Sequence, residues 1–366
     1  MMRRGWACAT CAFLLAACSD GADRPETSRG SDEAWAQLPE PVSNNAVASA
    51  TVNGRMMAYS FAGLHAGKTW QDVTANAYAC DLEARACEEI DGVPDGVGRL
   101  ASVAATAGNQ IYVFGGYTVA EDGSERSTPE VWRFDPQTET YVRASDIPIP
   151  TDDAVAVTYQ DRFIYLISGW HDTDNIDAVQ VYDTAEGRWF SATSWPGSPV
   201  FGHAGGIVDN HIVVCGGVEV VPPVDADARR TFEHYDACWQ GEIDPTDPAV
   251  IDWSPAPGHQ GPARYRAAAI GSQRAGIVYF VGGTNNPYNY NGIGYNGEPA
   301  PALDSIMHPP GQGEIDGSSW RLIVGYGTFG TMDHRGLIEW DGAFFTLGGM
   351  NGAQEVISDV RAIRID

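Results

Sequence analysis

Short apolar runs, each ending in a pair of small residues, recur along the chain: Ser60-Phe61-Ala62-Gly63, Val113-Phe114-Gly115-Gly116, Leu166-Ile167-Ser168-Gly169, Val214-Cys215-Gly216-Gly217, Phe280-Val281-Gly282-Gly283 and Thr346-Leu347-Gly348-Gly349. The first small members of these pairs stand at positions 62, 115, 168, 216, 282 and 348. A regular recurrence on this scale marks an array of supersecondary units that bury their apolar faces against one another. Before each run lies a second apolar run, and the two are separated by a polar pair such as Gly108-Asn109, Gln160-Asp161, Asp209-Asn210 or Asp341-Gly342. Runs this short, rich in β-branched residues and punctuated by such pairs, predict paired β-strands and exclude buried helices.

A third strand is expected where an aromatic residue precedes an acidic one, at Trp132-Arg133-Phe134-Asp135, Val181-Tyr182-Asp183 and His234-Tyr235-Asp236. A fourth is expected around Tyr141, Trp189, Trp253 and Trp320. The combination of diglycine, third-strand Tyr and fourth-strand Trp resembles the Kelch family over residues 35–366. The resemblance implies an all-β, six-bladed Kelch-type β-propeller. The last unit supplies a third strand between Val356 and Ile365 and then stops, whereas Trp35-Ala36-Gln37-Leu38-Pro39 is an orphan strand. The N-terminal strand is therefore expected to close the ring inside the last blade, removing edges that would invite aggregation. Ala62 and Ser168 depart from the diglycine pattern, and the first unit lacks the Trp.

The start of the chain has a different character. Arg3 and Arg4 precede an apolar run from Ala7 to Ala17, too short to span a bilayer, and Leu15-Ala16-Ala17-Cys18 resembles a bacterial lipobox. The expected organisation is a lipoprotein signal peptide over 1–17, an acylated Cys18, a flexible tether over 18–34 and the propeller over 35–366. Ser19 after that cysteine implies, by resemblance, the outer membrane, with the fold facing the periplasm of the cell envelope. Four cysteines then remain in an oxidising compartment, and the strand assignment pairs Cys80 with Cys87 and Cys215 with Cys238.

Net charge is −26, and removal of Arg3 and Arg4 takes it to −28, which excludes nucleic acid as a natural partner. Lys68 is the only lysine, leaving little room for Schiff-base chemistry. Gly-x-Ser-x-Gly and phosphate-loop signatures are absent. The oxygen-rich run His171 to Asp177 lacks the Gly and distal Glu of a calcium loop, and no metal or other cofactor is expected.

A fixed count back from each turn reaches the starts of the innermost strands, and at or near them the chain carries Arg99, Asp152, Asp153, His203, Arg264, Arg266, Asp333, His334 and Arg335. Such a ring could recognise a polyhydroxylated or anionic ligand through bidentate hydrogen bonds; the same charges could equally pair among themselves and hold the ring together. Trp170 and the Tyr-Asn-Gly-rich segment from Thr284 to Pro301, with Tyr288, Tyr290 and Tyr295, are placed as an aromatic rim. The expected function is a lipid-anchored binding module for a glycan, acidic sugar, peptide or partner protein. The alternative is a sugar mutarotase resembling the N-acetylneuraminate epimerase group, with Arg99, Arg264, His203 and the Asp152-Asp153 pair available for acid, base and carboxylate-binding roles.

Overall fold

A computed structural model describes residue 2 and residues 34–94, 96–222, 231–258, 263–301, 304–308, 321–324 and 330–364. Cys18 and nearly all of the expected leader and tether lie outside the described residues, as do Trp320 and Ile365.

The chain forms four-stranded antiparallel sheets in sequence order. The first contains Ala46–Val52, Arg55–Leu64, Val73–Asp81 and Ala86–Ile90. The second contains Val103–Ala107, Gln110–Phe114, Val131–Asp135 and Thr140–Arg143, and the third Val155–Tyr159, Phe163–Ile167, Val179–Asp183 and Arg188–Ser191. Ala204–Val208, His211–Cys215, Cys238–Ile243 and Ile251–Ala256 build the fourth. The fifth pairs Ala268–Ser272 with Ile277–Val281, followed by Asp304–His308 and Arg321–Val324, whose backbone pairing alone is described. Ile338–Trp340, Ala343–Leu347 and Asp359–Arg364 form the sixth with the short strand Ala36–Gln37, which pairs with Val360 and Asp359.

Neighbouring sheets bury their faces against one another. Phe114 and Val131 of the second meet Ile164, Leu166 and Tyr182 of the third. Tyr165 and Val181 meet Ile212 and Val214 of the fourth, and Leu347 and Phe345 of the sixth meet Ala58 and Tyr78 of the first. Fully burying an aromatic or branched side chain of this size contributes about 1.5–3 kcal/mol, so these inter-sheet layers are the main source of cohesion. The first strands of the sheets neighbour one another around a common axis. They can do so because they are built from small residues: a Cβ added at Gly271 would lie 1.9 Å from the Ile207 carbonyl oxygen.

The small-residue pair shows why its two members differ. The first takes φ between 49° and 72°, where Ala62 (φ 55°) and Ser168 (φ 53°) are accommodated in the left-handed region. The second takes φ from 80° to 120°, and a Cβ there would crowd the incoming strand, 2.5 Å from the Ser43 oxygen at Gly63 and 2.6 Å from the Asp152 oxygen at Gly169. Only glycine fits the second place.

Both expected disulfides are present, between Cys80 and Cys87 and between Cys215 and Cys238, each joining cross-strand partners. One strand assignment is corrected. His234-Tyr235-Asp236 does not belong to the third strand of the fourth sheet, which is Cys238–Ile243. His234 instead ends a hairpin, Val218–Val221 with Thr231–His234, that rises from the sheet edge. The aromatic–acid pattern is ambiguous there because the preceding loop carries strands of its own. Equivalent small hairpins, Tyr117–Val119 with Glu125–Ser127 and Trp170–His171 with Asp174–Asn175, rise from the second and third sheets.

Candidate functional site

Just before each first strand, one residue pairs with the residue that follows the small-residue turn: Ser43 with Leu64, Leu100 with Tyr117, Asp152 with Trp170, Phe201 with Val218, Tyr265 with Thr284 and Met332 with Met350. The next residue adopts positive φ in every case: Asn44, Ala101, Asp153, Gly202, Arg266 and Asp333. Backbone hydrogen bonds link these positions in a circuit. Ala101 N–H donates to Asn44 O (3.2 Å), Asp153 to Ala101 (3.0 Å), Gly202 to Asp153 (3.0 Å), Arg266 to Gly202 (2.7 Å), His334 to Arg266 (3.1 Å) and Asn44 to Asp333 (3.3 Å). The left-handed turn brings each of these residues to the mouth of the axis.

The charged members of this circuit pair with each other. Arg266 donates from Nη2 and Nε to Asp153 Oδ2 at 2.8 and 3.1 Å, and from Nη1 to Asp333 Oδ1 at 3.2 Å. Arg335 lies 2.7 Å from Asp153 Oδ1 and donates to Asn44 Oδ1 at 2.9 Å. Asp153 is 1% exposed, Asp333 0% and Arg266 3%. Burial disfavours the Arg266 guanidinium, but Asp153 and Asp333 overcome that and hold its pKa well above the ordinary value. Two guanidiniums and two carboxylates thus make a neutral plug across the axis.

Below the plug lies a cavity of about 290 Å³ walled by the first strands, including Ala48, Ala104, Ala156, Gly206 and Gly271. His203 and His334 stand at its upper end. His203 Nε2–H donates to the Ile167 carbonyl at 2.8 Å, and His334 Nε2 lies 2.6 Å from Thr331 Oγ1. Burial lowers both imidazoles to about 4, so they are neutral at pH 7.

Above the plug the hairpins enclose a cleft of about 70 Å³. Its aromatic walls are Tyr117, Trp170, Phe201, Phe232 and Tyr295, and its polar surface is Glu125, Asp152, Asn289 and the plug residues Asp153 and Arg266. Asp152, 4% exposed, accepts from Ser127 Oγ at 2.7 Å. Burial pushes the Asp152 carboxyl well above the usual carboxylate range, Asp153 and Glu125 push the same way, and the Ser127 bond and Arg266 oppose them. Glu125 is an exposed residue, yet desolvation where it borders the cleft raises its carboxyl too, against the pull of Arg266.

The residues expected from the sequence divide among several places. Asp152, Asp153, Arg266, Trp170 and Tyr295 meet at the cleft, and Asp333 and Arg335 complete the plug beneath it. Arg99 and Arg264 go elsewhere. Each is buried and donates from Nη1 to the first carbonyl of its own glycine pair, Gly115 O at 3.2 Å and Gly282 O at 2.8 Å, while its backbone carbonyl accepts from the second glycine of the preceding sheet. Burial lowers Arg99 to about 10, partly offset by Glu130. Tyr288 is fully buried, 5.2 Å from the Tyr265 ring, and Tyr290 packs in the cluster of Leu64, Leu100 and Tyr117. Glu125, Ser127, Phe201, Phe232 and Asn44 are not singled out by the sequence, whereas Asn289 falls within the Tyr-Asn-Gly-rich segment expected at the rim. Phe201 carried a usable signal, since it holds the place in its unit that Asp152 holds in the preceding one.

Comparison with known proteins follows the fold. A Kelch motif matches residues 98–148, the span from Gly98 through the outer strand of the second sheet. Kelch-like protein 15 of Gallus gallus is 26% identical over 114 residues, 31% of this chain and 23% of that protein, and the Homo sapiens protein is 25% identical over the same length, 18% of its own. These matches span about a fifth of the curated relatives. A solved chain described as "Structure of YjhT" is similar with a TM-score of 0.67 over 90% of this chain and 97% of its own, at 15% identity. The fold is an all-β propeller, and the Kelch motif lies in its second sheet.

Proposed function

We propose that this Kelch-repeat propeller is a ring of six blades, completed by the N-terminal strand in the last blade, and that it acts as a lipid-anchored binding module of the bacterial cell envelope. In this reading Cys18 carries the anchor at the outer membrane, the tether lets the fold face the periplasm, and a small polar ligand, a glycan or a partner protein docks on the hairpin face at the mouth of the axis. The observation that carries the binding reading is the cleft itself: buried Asp152 and aromatic side chains from three hairpins and a long loop converge over a floor whose own charges are already balanced. Concave sites with aromatic walls and a few fixed polar groups are where proteins take ligands. The test is a calorimetric screen of neutral sugars, acidic sugars and peptides against the wild type and Trp170→Ala. Binding that weakens at least tenfold in the variant supports the reading; binding unchanged by Trp170→Ala places the site elsewhere. Membrane fractionation of Cys18→Ala tests the anchor, with release into the soluble fraction expected.

A second reading, a sugar mutarotase, draws on one observation: Asp152 and Glu125 border the same cleft and both have raised pKa values, as a general acid and base near neutrality require. In that reading Arg99, Arg264 and His203 have structural roles. Accelerated anomer exchange on sialic acid by NMR, lost in Asp152→Asn, would put this reading first.

A further inference from the structure

The identity of the group that enters the cleft can be read from its walls, given that the cleft is the ligand site. The aromatic side is continuous: Trp170 and Phe201 are 5.4 Å apart, Phe201 and Phe232 5.7 Å, and Phe232 and Tyr295 4.5 Å. The face of an aromatic ring carries the negative end of its quadrupole, so rings that line a cleft can take a cation. On the polar side, Arg266 is matched by Asp153 and Asp333, with Arg335 completing a neutral set. Asp152 and Glu125 form no ion pair among the described residues; burial favours their protonated forms in the fold, and a cation placed beside them would draw them to ionise. A cleft of about 70 Å³ has room for a compact charged head group.

We infer that the cleft binds a primary ammonium group presented by a partner peptide, in the first place a lysine side chain, with the rings around the cation and Asp152 and Glu125 as its counter-charge. The occupant comes from another molecule, because the one lysine of this chain, Lys68, donates its Nζ to the Gln354 carbonyl at 2.8 Å. A net charge of −26 draws basic peptides toward the whole surface, and the cleft selects among them by geometry.

The experiment is calorimetric titration of the full chain with three probes: an end-capped Gly-Lys-Gly tripeptide, the same peptide acetylated on the ε-nitrogen, and a neutral hexose. Acetylation keeps the length and removes the charge. The lysine peptide is expected to bind at least tenfold more tightly than its acetylated form, and Asp152→Asn and Phe232→Ala are each expected to weaken it at least fivefold, with Ala156→Ser in the lower cavity leaving it unchanged. Phe232 lies on a surface hairpin, so that variant keeps the test informative if Asp152→Asn disturbs folding. Equal binding of both peptides, or hexose binding that Phe232→Ala weakens without lysine binding, overturns the ammonium assignment and leaves the cleft as the ligand site. Lysine-peptide binding indifferent to both cleft variants overturns the assignment and the cleft together, as does the absence of binding by any probe.

Discussion

Above the Asp153–Arg266–Asp333–Arg335 network the axis opens into a cleft of about 70 Å³ built from hairpins; below it lies a cavity of about 290 Å³ built from first strands. The larger space is chemically the poorer. Its walls are mostly alanine, glycine, serine, threonine and valine because the inner strands must come together around one axis, and a Cβ at Gly206 would already lie 2.5 Å from the Gly271 nitrogen. The smaller space is free of that constraint, since its residues sit on hairpins beyond the convergence and vary in length and chemistry from sheet to sheet. Void volume follows from ring geometry, whereas ligand chemistry follows from what the loops carry.

The plug separates the two regions, and breaking it should have the largest effect. Arg266→Met removes one cation from a network in which Asp153 and Asp333 are almost fully buried. Leaving buried carboxylates uncompensated costs about 3–5 kcal/mol. Chemical denaturation should show a loss of that size; a loss under about 1 kcal/mol, the scale of a solvent-exposed pair, would mean that water reaches the plug and that the two spaces are one channel.

Gly271→Ala strikes the lower cavity alone. The added methyl meets a backbone carbonyl, which cannot swing aside as a side chain can, so the inner strands must part, at about 1–3 kcal/mol. The melting temperature should fall while ligand affinity at the cleft stays put. A matching fall in affinity would show that the inner strands and the hairpins move as one body.

Much of this arrangement was legible in the chain, and the part that was not has a definite cause. The small-residue pairs marked each sheet because only glycine satisfies φ of 80–120° against an incoming carbonyl, a demand repeated in every unit. The cysteine pairs followed from strand order. The site was legible only in part, because a fixed count back from the turn mixed two different circles. The residues that turn to the axis do not keep a constant spacing: Ala101 stands closer to Gly115 in the chain than Asn44 does to Ala62, since the first strands and their hairpins differ in length. Arg99 and Arg264 fall just before Ala101 and Arg266, where a side chain reaches back to its own glycine carbonyl. Phe232 and Glu125 were hidden because they lie on hairpins outside the repeat, where periodicity carries no information.

Acid should act on the region beside the plug. His203 and His334 are neutral in the fold with pKa values of about 4 against 6.5 in an unfolded chain, so their contribution is complete above pH 6.5 and is lost as the pH falls toward 4. At pH 5 each should have given up about 2 kcal/mol, at about 1.36 kcal/mol per pH unit of displacement. His203→Gln, which can keep an N–H toward the Ile167 carbonyl, should lower stability at pH 7 and flatten the fall between pH 7 and 5 by about that amount. An unchanged slope would show that solvent already reaches this imidazole from the lower cavity.

The smallest expected effect on stability is the one that best separates the two ends of the axis. Asp152 has a raised pKa in the fold, so its protonated form is the favoured one: its contribution is complete below the ordinary carboxylate value and is lost as the pH rises through the raised one. Asp152→Asn keeps an oxygen for the Ser127 hydroxyl and removes the ionisation, so at pH 8 it should stabilise the protein by about 1 kcal/mol, within the range found when a strained functional group is relieved. Binding at the cleft should fall in the same variant. Opposite signs in denaturation and calorimetry are what a residue placed for a ligand produces, because its carboxyl is costly until something fills the cleft. A variant that lost stability and kept affinity would put Asp152 with Asp153 and Asp333, as one more member of the plug.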